Sequence, residues 1–196
     1  MDNNTNNEEQ QKYLNMMPDY SYTNPYEYRV GFGRRLGAYL LDAVIFTLLF
    51  MILLLVTGDI KELMAISANA FDMDKINEAA EMIAPKVLLL SLIYYSLEAF
   101  IGATLGKLTL GIKIGTEDRR HAGLAQLITR FAIKNISTLL GLINLLVLLS
   151  FLDFISSLLS WIVIIGCFFV LGQKRQSFHD MIAKTAVYYK DEIINN

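Results

Sequence analysis

Leu36-Gly-Ala-Tyr-Leu-Leu-Asp42-Ala-Val-Ile-Phe-Thr-Leu-Leu-Phe-Met-Ile-Leu-Leu-Leu-Val56 is long and apolar enough to cross a bilayer as one helix, and it carries one carboxylate. A second run, Val87 to Leu105, repeats the pattern with Glu98. A carboxylate near the centre of a spanning helix costs about 2.5 to 3.5 kcal/mol on insertion scales, so it must pair with a cation, face a protein interior or act in function. The bulk composition agrees with a membrane protein. Hydrophobic residues are 54% of 196 and charged residues only 18%, and mean hydropathy is +0.41. Neither the net charge of -2 nor its distribution supports nucleic-acid binding. The lone Cys167 lies in an apolar run and excludes a disulfide framework or a cysteine metal site.

Residues 1–29 are polar, rich in Asn and Tyr, and predict a disordered tail that cannot bury a core. No cleavable signal is expected, because the first apolar run starts late and is too long. Charge orients the helices. Arg29, Arg34 and Arg35 precede the first run, and Gly58 to Lys86 carries an acidic excess. Both termini are therefore predicted cytoplasmic, with the acidic segment 59–86 outside as a helical element. From Asn135 to Gln173 the only charge is Asp153, between basic groups that both belong inside. An even number of crossings is required, which gives spans over 36–56, 87–105, 136–151 and 154–171 with an outer turn near Asp153. A re-entrant 136–171 hairpin is the alternative. Period-two patterning over Leu108–Ile114 and over Thr185–Lys190 predicts a cytoplasmic strand pair. Between them Leu124, Leu127, Ile128 and Phe131 share one helical face opposite Gln126, Arg130 and Lys134, an amphipathic helix at the inner interface. The fold expected is an all-α polytopic membrane protein: a four-segment bundle over 30–190 with a small cytoplasmic two-stranded element, an external helical segment and a short tail over 191–196.

Helical rise puts Asp42 about 9 Å and Glu98 about 12 Å from the inner ends of their antiparallel helices, so the two carboxylates occupy one layer. Arg35 shares a face with Asp42 about 10 Å away along the axis, too far to touch it. Tyr94 is one turn before Glu98 and placed to donate to it. Arg35, Lys107, Arg130 and Lys134 are the cations within reach. This layer has two readings. It is a buried polar network that holds helix register, or it is a cation or proton site in which like charges raise one carboxylate pKa toward neutrality.

Other motifs carry less. Gly102 and Gly106 are too closely spaced for a phosphate-binding loop, and Lys107 is followed by Leu108 rather than a hydroxyl. Their spacing predicts close helix contact, with Lys107 snorkelling to the interface. Ser177-Phe-His179-Asp180 reads as a helix start with Ser177 as cap and Asp180 paired to a basic residue, not as a metal site. No catalytic motif is present, so neither enzyme activity nor a cofactor is expected.

Three stretches taken together, Arg35-Leu-Gly-Ala-Tyr-Leu-Leu-Asp42, Gly102-Ala-Thr-Leu-Gly106-Lys107-Leu-Thr-Leu-Gly111-Ile-Lys113-Ile, and Arg175-Gln-Ser-Phe-His179-Asp180-Met-Ile-Ala-Lys-Thr185-Ala-Val187, resemble the RDD family of integral membrane proteins. The arginine and two aspartates of its name map to Arg35, Asp42 and Asp180. The resemblance implies a multi-spanning bundle in a bacterial plasma membrane, with cation/proton exchange proposed for some members and association with other membrane proteins for others. Arg35, Asp42, Glu98, Lys107, Arg130 and Asp180 are thus the candidate charge network. It belongs either to a small, oligomeric monovalent cation/proton transporter or to an accessory subunit of another membrane protein.

Overall fold

The computed structural model describes residues 26–67, 72–147 and 150–194. Most of the tail expected over 1–29, residues 68–71, residues 148–149 and the last two residues lie outside them. Within them, α1 (Phe32–Thr57) leaves a small cap and runs 26 residues, about 39 Å. It ends at Gly58, whose φ of 83° only glycine adopts readily. A short α2 (Ile60–Ser67) comes next, then α3 (Met73–Ile101) returns to the cap. Asp72 caps α3 by accepting from the Lys75 amide. At the far end the Lys86 ammonium meets the Asp59 carboxylate at 2.5 Å, tying the α1–α2 turn to α3.

The span expected from Val87 to Leu105 differs at both ends. Strong helix formers around Ala79 and Ala80 carry α3 through Pro85 without a break, so half of the acidic segment extends the span. At the other end Gly102 adopts φ 73° and its amide closes on the Glu98 carbonyl, stopping the helix at Ile101. Thr104 then starts a separate turn, α4 (Leu105–Thr109), by accepting from the Lys107 amide. For the same reason Leu108 and Thr109 are helical rather than extended, and the first strand runs only over β1 (Ile112–Thr116). It pairs antiparallel with β2 (Thr185–Tyr189), from Ile112 opposite Tyr189 to Thr116 opposite Thr185. The Val30 amide donates to the Val187 carbonyl at 2.8 Å, laying the approach to α1 along the other side of β2. Val30, Ala38, Ile112, Ile114, Leu127 and Val187 form the cap's core.

Helix α5 (Leu124–Lys134) packs against α3, and a bend of 70° leads into α6 (Ile136–Val147). As described, α6 runs twelve residues, about 18 Å, and together with α5 it forms a bent pair over the stretch expected to hold the third span. Helix α7 (Ser150–Cys167) already contains Asp153, which is held by the Asn144 amide at 2.7 Å rather than sitting in a turn. It continues as a 3-10 turn (Phe168–Leu171) back to the cap. Among the described residues three helices are long and apolar enough to cross a membrane, four if the bent α5–α6 pair counts as one span. Ser137, Ser156 and Ser160 bond one another across α6 and α7, satisfying hydroxyls that lipid could not. Last comes α8 (Phe178–Ile182), seated on α7 where Gly166 lets Phe178 approach.

The tightest join is Gly106 of α4 against α1. A Cβ there would lie 2.4 Å from the Ala38 carbonyl oxygen and 2.8 Å from the Asp42 amide, both backbone atoms that cannot swing away. Gly106 alone makes this contact, while Gly102 serves as the helix stop. Gly106→Ala should lower thermal stability in detergent by about 2 kcal/mol or more through overpacking. Gly33→Ala, where a Cβ meets nothing within 4 Å, should be neutral or stabilising. Equal behaviour of the two variants would contradict the packing described.

Candidate functional site

Two local features aim α1 and α3 at the same point. Asp42 faces inward because the close Gly106 contact brings α4 over that face, and Glu98 sits one turn before the Gly102 stop. Asp42 is 4% exposed and receives three uncharged donors: the Tyr94 hydroxyl at 2.7 Å, the Thr104 hydroxyl at 2.5 Å and the Gly106 amide at 2.7 Å. Tyr94 therefore bonds Asp42, not Glu98 as expected. Its phenol is long enough to reach the neighbouring helix, and cations already fill the Glu98 oxygens. Because Tyr94 and Glu98 are four residues apart, Asp42 and Glu98 do lie within about one helical turn, 6 Å, along α3.

Glu98 is 1% exposed and surrounded by cations. The Lys107 ammonium donates to Oε1 at 2.5 Å, the Lys134 ammonium to Oε2 at 2.5 Å, and the Arg130 guanidinium also bonds Oε1. Lys107 thus turns into the protein instead of snorkelling outward, since a buried carboxylate without a counter-charge would cost more than bending one flexible side chain. Arg130 comes from the inner face of α5. Its Nε donates to Asp180 Oδ1 at 2.6 Å, so one guanidinium joins two carboxylates on separate elements. Helix α5 consequently turns its charged residue inward and leaves Leu124 and Ile128 outward.

Asp180 closes the network from α8. It accepts from Arg130, from Arg35 of α1 and from the Ser177 amide at 3.2 Å, the helix-start arrangement read from the sequence. Burial pushes its carboxyl up, but Arg130 and Arg35 outweigh burial and hold it well below the usual carboxylate range. Arg35 also donates to the Val30 and Arg175 carbonyls at 3.0 and 2.8 Å. His179 sits at the same point, its Nε2 lying 2.9 Å from the Ser177 hydroxyl and 3.3 Å from Arg130. Burial chiefly, then Arg130, carry its pKa from 6.5 down to about 2, with Asp180 opposing. The ring is therefore neutral and accepts at Nε2.

All six residues singled out from the sequence are brought into this one network, as two linked groups. Arg35, Arg130, Asp180, Glu98 and Lys107 form a continuous ionic chain; Asp42 hangs beside it on neutral donors. Lys134 completes the shell of Glu98. Thr104, Gly106 and His179 were not anticipated as partners. Thr104 directly precedes the α4 turn, which is the one sequence signal that marks it. Among the described residues no group of three or more His, Cys, Asp or Glu is placed to hold a metal ion.

The model of the RDD family matches residues 29–184, and the chain belongs to that family. Comparison with curated proteins and with solved structures gives no match.

The unfolded chain protonates His179 below about pH 6.5 while the folded protein resists down to about 2. His179 therefore contributes stability fully above pH 6.5 that is lost progressively as pH falls. Unfolding measured between about pH 6.5 and 4.5 should show a shallower loss in His179→Gln than in wild type, by up to about 1.4 kcal/mol per pH unit. Equal slopes would contradict a neutral buried ring.

Proposed function

We propose that this RDD family membrane protein is an accessory or assembly module, multi-pass in the plasma membrane, whose buried charges lock a cytoplasmic cap onto its helices. One observation carries this reading. Each of the six carboxylate oxygens of Asp42, Glu98 and Asp180 already accepts from a donor of the protein itself. A transported metal cation needs several open oxygen ligands, and around Glu98 it would face three positive charges within contact distance. Breaking such a buried pair costs about 3 to 5 kcal/mol, a large barrier for a group that must release its partners in every cycle. The same cost suits a lock that stays shut. A cytoplasmic cap is supported by its excess of Lys and Arg, including Arg34, Lys113, Arg119, Arg120, Lys174, Arg175 and Lys184.

A second reading rests on Asp42, the one carboxylate of the three whose direct partners are all uncharged. It can accept a proton without leaving a cation unpaired, so a cation/proton exchanger would work through it.

Proton flux in proteoliposomes separates the two. The lock predicts no sodium- or potassium-dependent flux in wild type, and a fall in folded yield for Arg130→Gln, which removes the donor that Glu98 and Asp180 share. Cation-dependent flux in wild type, lost in a folded Asp42→Asn protein, would overturn the lock and establish the exchanger.

A further inference from the structure

Exposed apolar side chains along a membrane-crossing helix meet lipid, whereas those beyond its charged end meet water. The Lys86–Asp59 pair sets the end of α1 level with Lys86, so α3 runs on from Pro85 to Met73 for about 20 Å past it. That length carries Asp74, Lys75, Glu78 and Glu81, all exposed, and so many charges keep it out of hydrocarbon. Helix α2 packs against it. Between the two helices opens a groove of about 530 Å³ whose walls include Leu63 of α2 and Ile76, Ala80, Ile83, Ala84 and Val87 of α3, and no polar side chain lines it. An apolar groove in water marks a place for a partner.

The lining selects the kind of partner. A small ligand needs a few polar groups to fix its orientation, and the groove offers none. A helix needs only shape. Met73, Ile76, Ala80, Ile83 and Val87 recur at spacings of three and four residues, the seam of a helix that packs lengthwise on another. Ala80 and Ala84 are exposed one turn apart on it and let a second backbone come close. Charge then selects the helix. The positions that flank the middle of the seam are Asn77, Ala79 and Ala84, all uncharged, while Asp74, Glu78 and Glu81 fall outside them. At its ends Asp72 already accepts from the Lys75 amide, and Lys86 is held by Asp59. Two copies inserted the same way in one membrane present parallel α3 helices, and in that pairing no like charges face one another across the seam. Acids set off the seam give a basic helix of another protein no advantage in the groove.

We propose that the groove is a self-association surface: two copies of the chain pair about a two-fold axis along the membrane normal, α3 against α3 through Ile76, Ala80, Ile83 and Ala84, with Leu63 of α2 closing one side. The pairing covers apolar surface that water would otherwise meet. It is independent of whether the buried charges act as a lock or as an exchanger.

Disulfide trapping in native membranes tests the interface, on a Cys167→Ala background that removes the chain's one cysteine. Ala80→Cys should oxidise to a linked dimer, because a bridge needs Cα atoms within about 7 Å, and Glu78→Cys, on the far side of α3, should not. Adding Ala84→Glu to Ala80→Cys should abolish the bridge by setting two carboxylates at the seam. Both alanines are exposed in the single chain, so these substitutions leave its fold intact. No linked dimer at Ala80→Cys, equal linkage at Glu78→Cys, or a dimer that survives Ala84→Glu overturns the interface. A bridge from Ala80→Cys to a different protein in place of the dimer overturns it too.

Discussion

Arg130 bonding Glu98 and Asp180 at once is the contact on which the rest depends. Glu98 belongs to a membrane-crossing helix, Asp180 to the cap and Arg130 to the helix lying between them. Among the described residues no other side chain joins these three elements through ion pairs. A guanidinium suits the task because its donors are fixed in a plane and it never loses its proton, whereas an ammonium would serve one carboxylate as a point charge. Arg35 extends the chain to α1 through the second Asp180 oxygen and anchors itself on two backbone carbonyls. The helices and the cap are thus joined by charge where apolar burial in lipid supplies little driving force.

Steric constraint and charge cooperate at Asp42. Gly106 lets α4 approach α1 so closely that its own amide becomes an Asp42 donor. The same short helix points Lys107 at Glu98. One five-residue turn therefore serves both carboxylates, which explains why α3 must stop at Gly102 rather than run on to Leu105. A continuous helix would carry Gly106 and Lys107 in another direction.

Much of this was legible in the sequence. Acids inside apolar runs could only be buried with partners, so Asp42, Glu98 and the cations able to reach them stood out on insertion cost alone. The β2 strand, the Ser177 helix start and the α5 helix were evident from local pattern. What the sequence hid were matters of direction. Alternation at Leu108 and Leu110 imitates a strand because the Thr104 cap that makes this stretch helical acts four residues before Leu108. Arg130 stood out as a cation within reach, but Leu127 was placed on the face opposite it, since periodicity separates two faces without saying which one meets protein, and the structure buries both. The continuous apolar stretch after Asn135 concealed the 70° bend that joins α5 to α6.

The central claim is that the ionic chain holds the cap to the membrane helices, and a double-mutant cycle on Arg35 and Asp180 tests it most directly. Unfolding free energies of Arg35→Met, Asp180→Asn and the double variant would be measured in one detergent at neutral pH. A coupling of about 2 kcal/mol or more, with the second substitution costing far less than the first, is the result predicted for a buried, closely bonded pair. Effects that add within about 0.5 kcal/mol would contradict it, leaving the cap held by its apolar core alone.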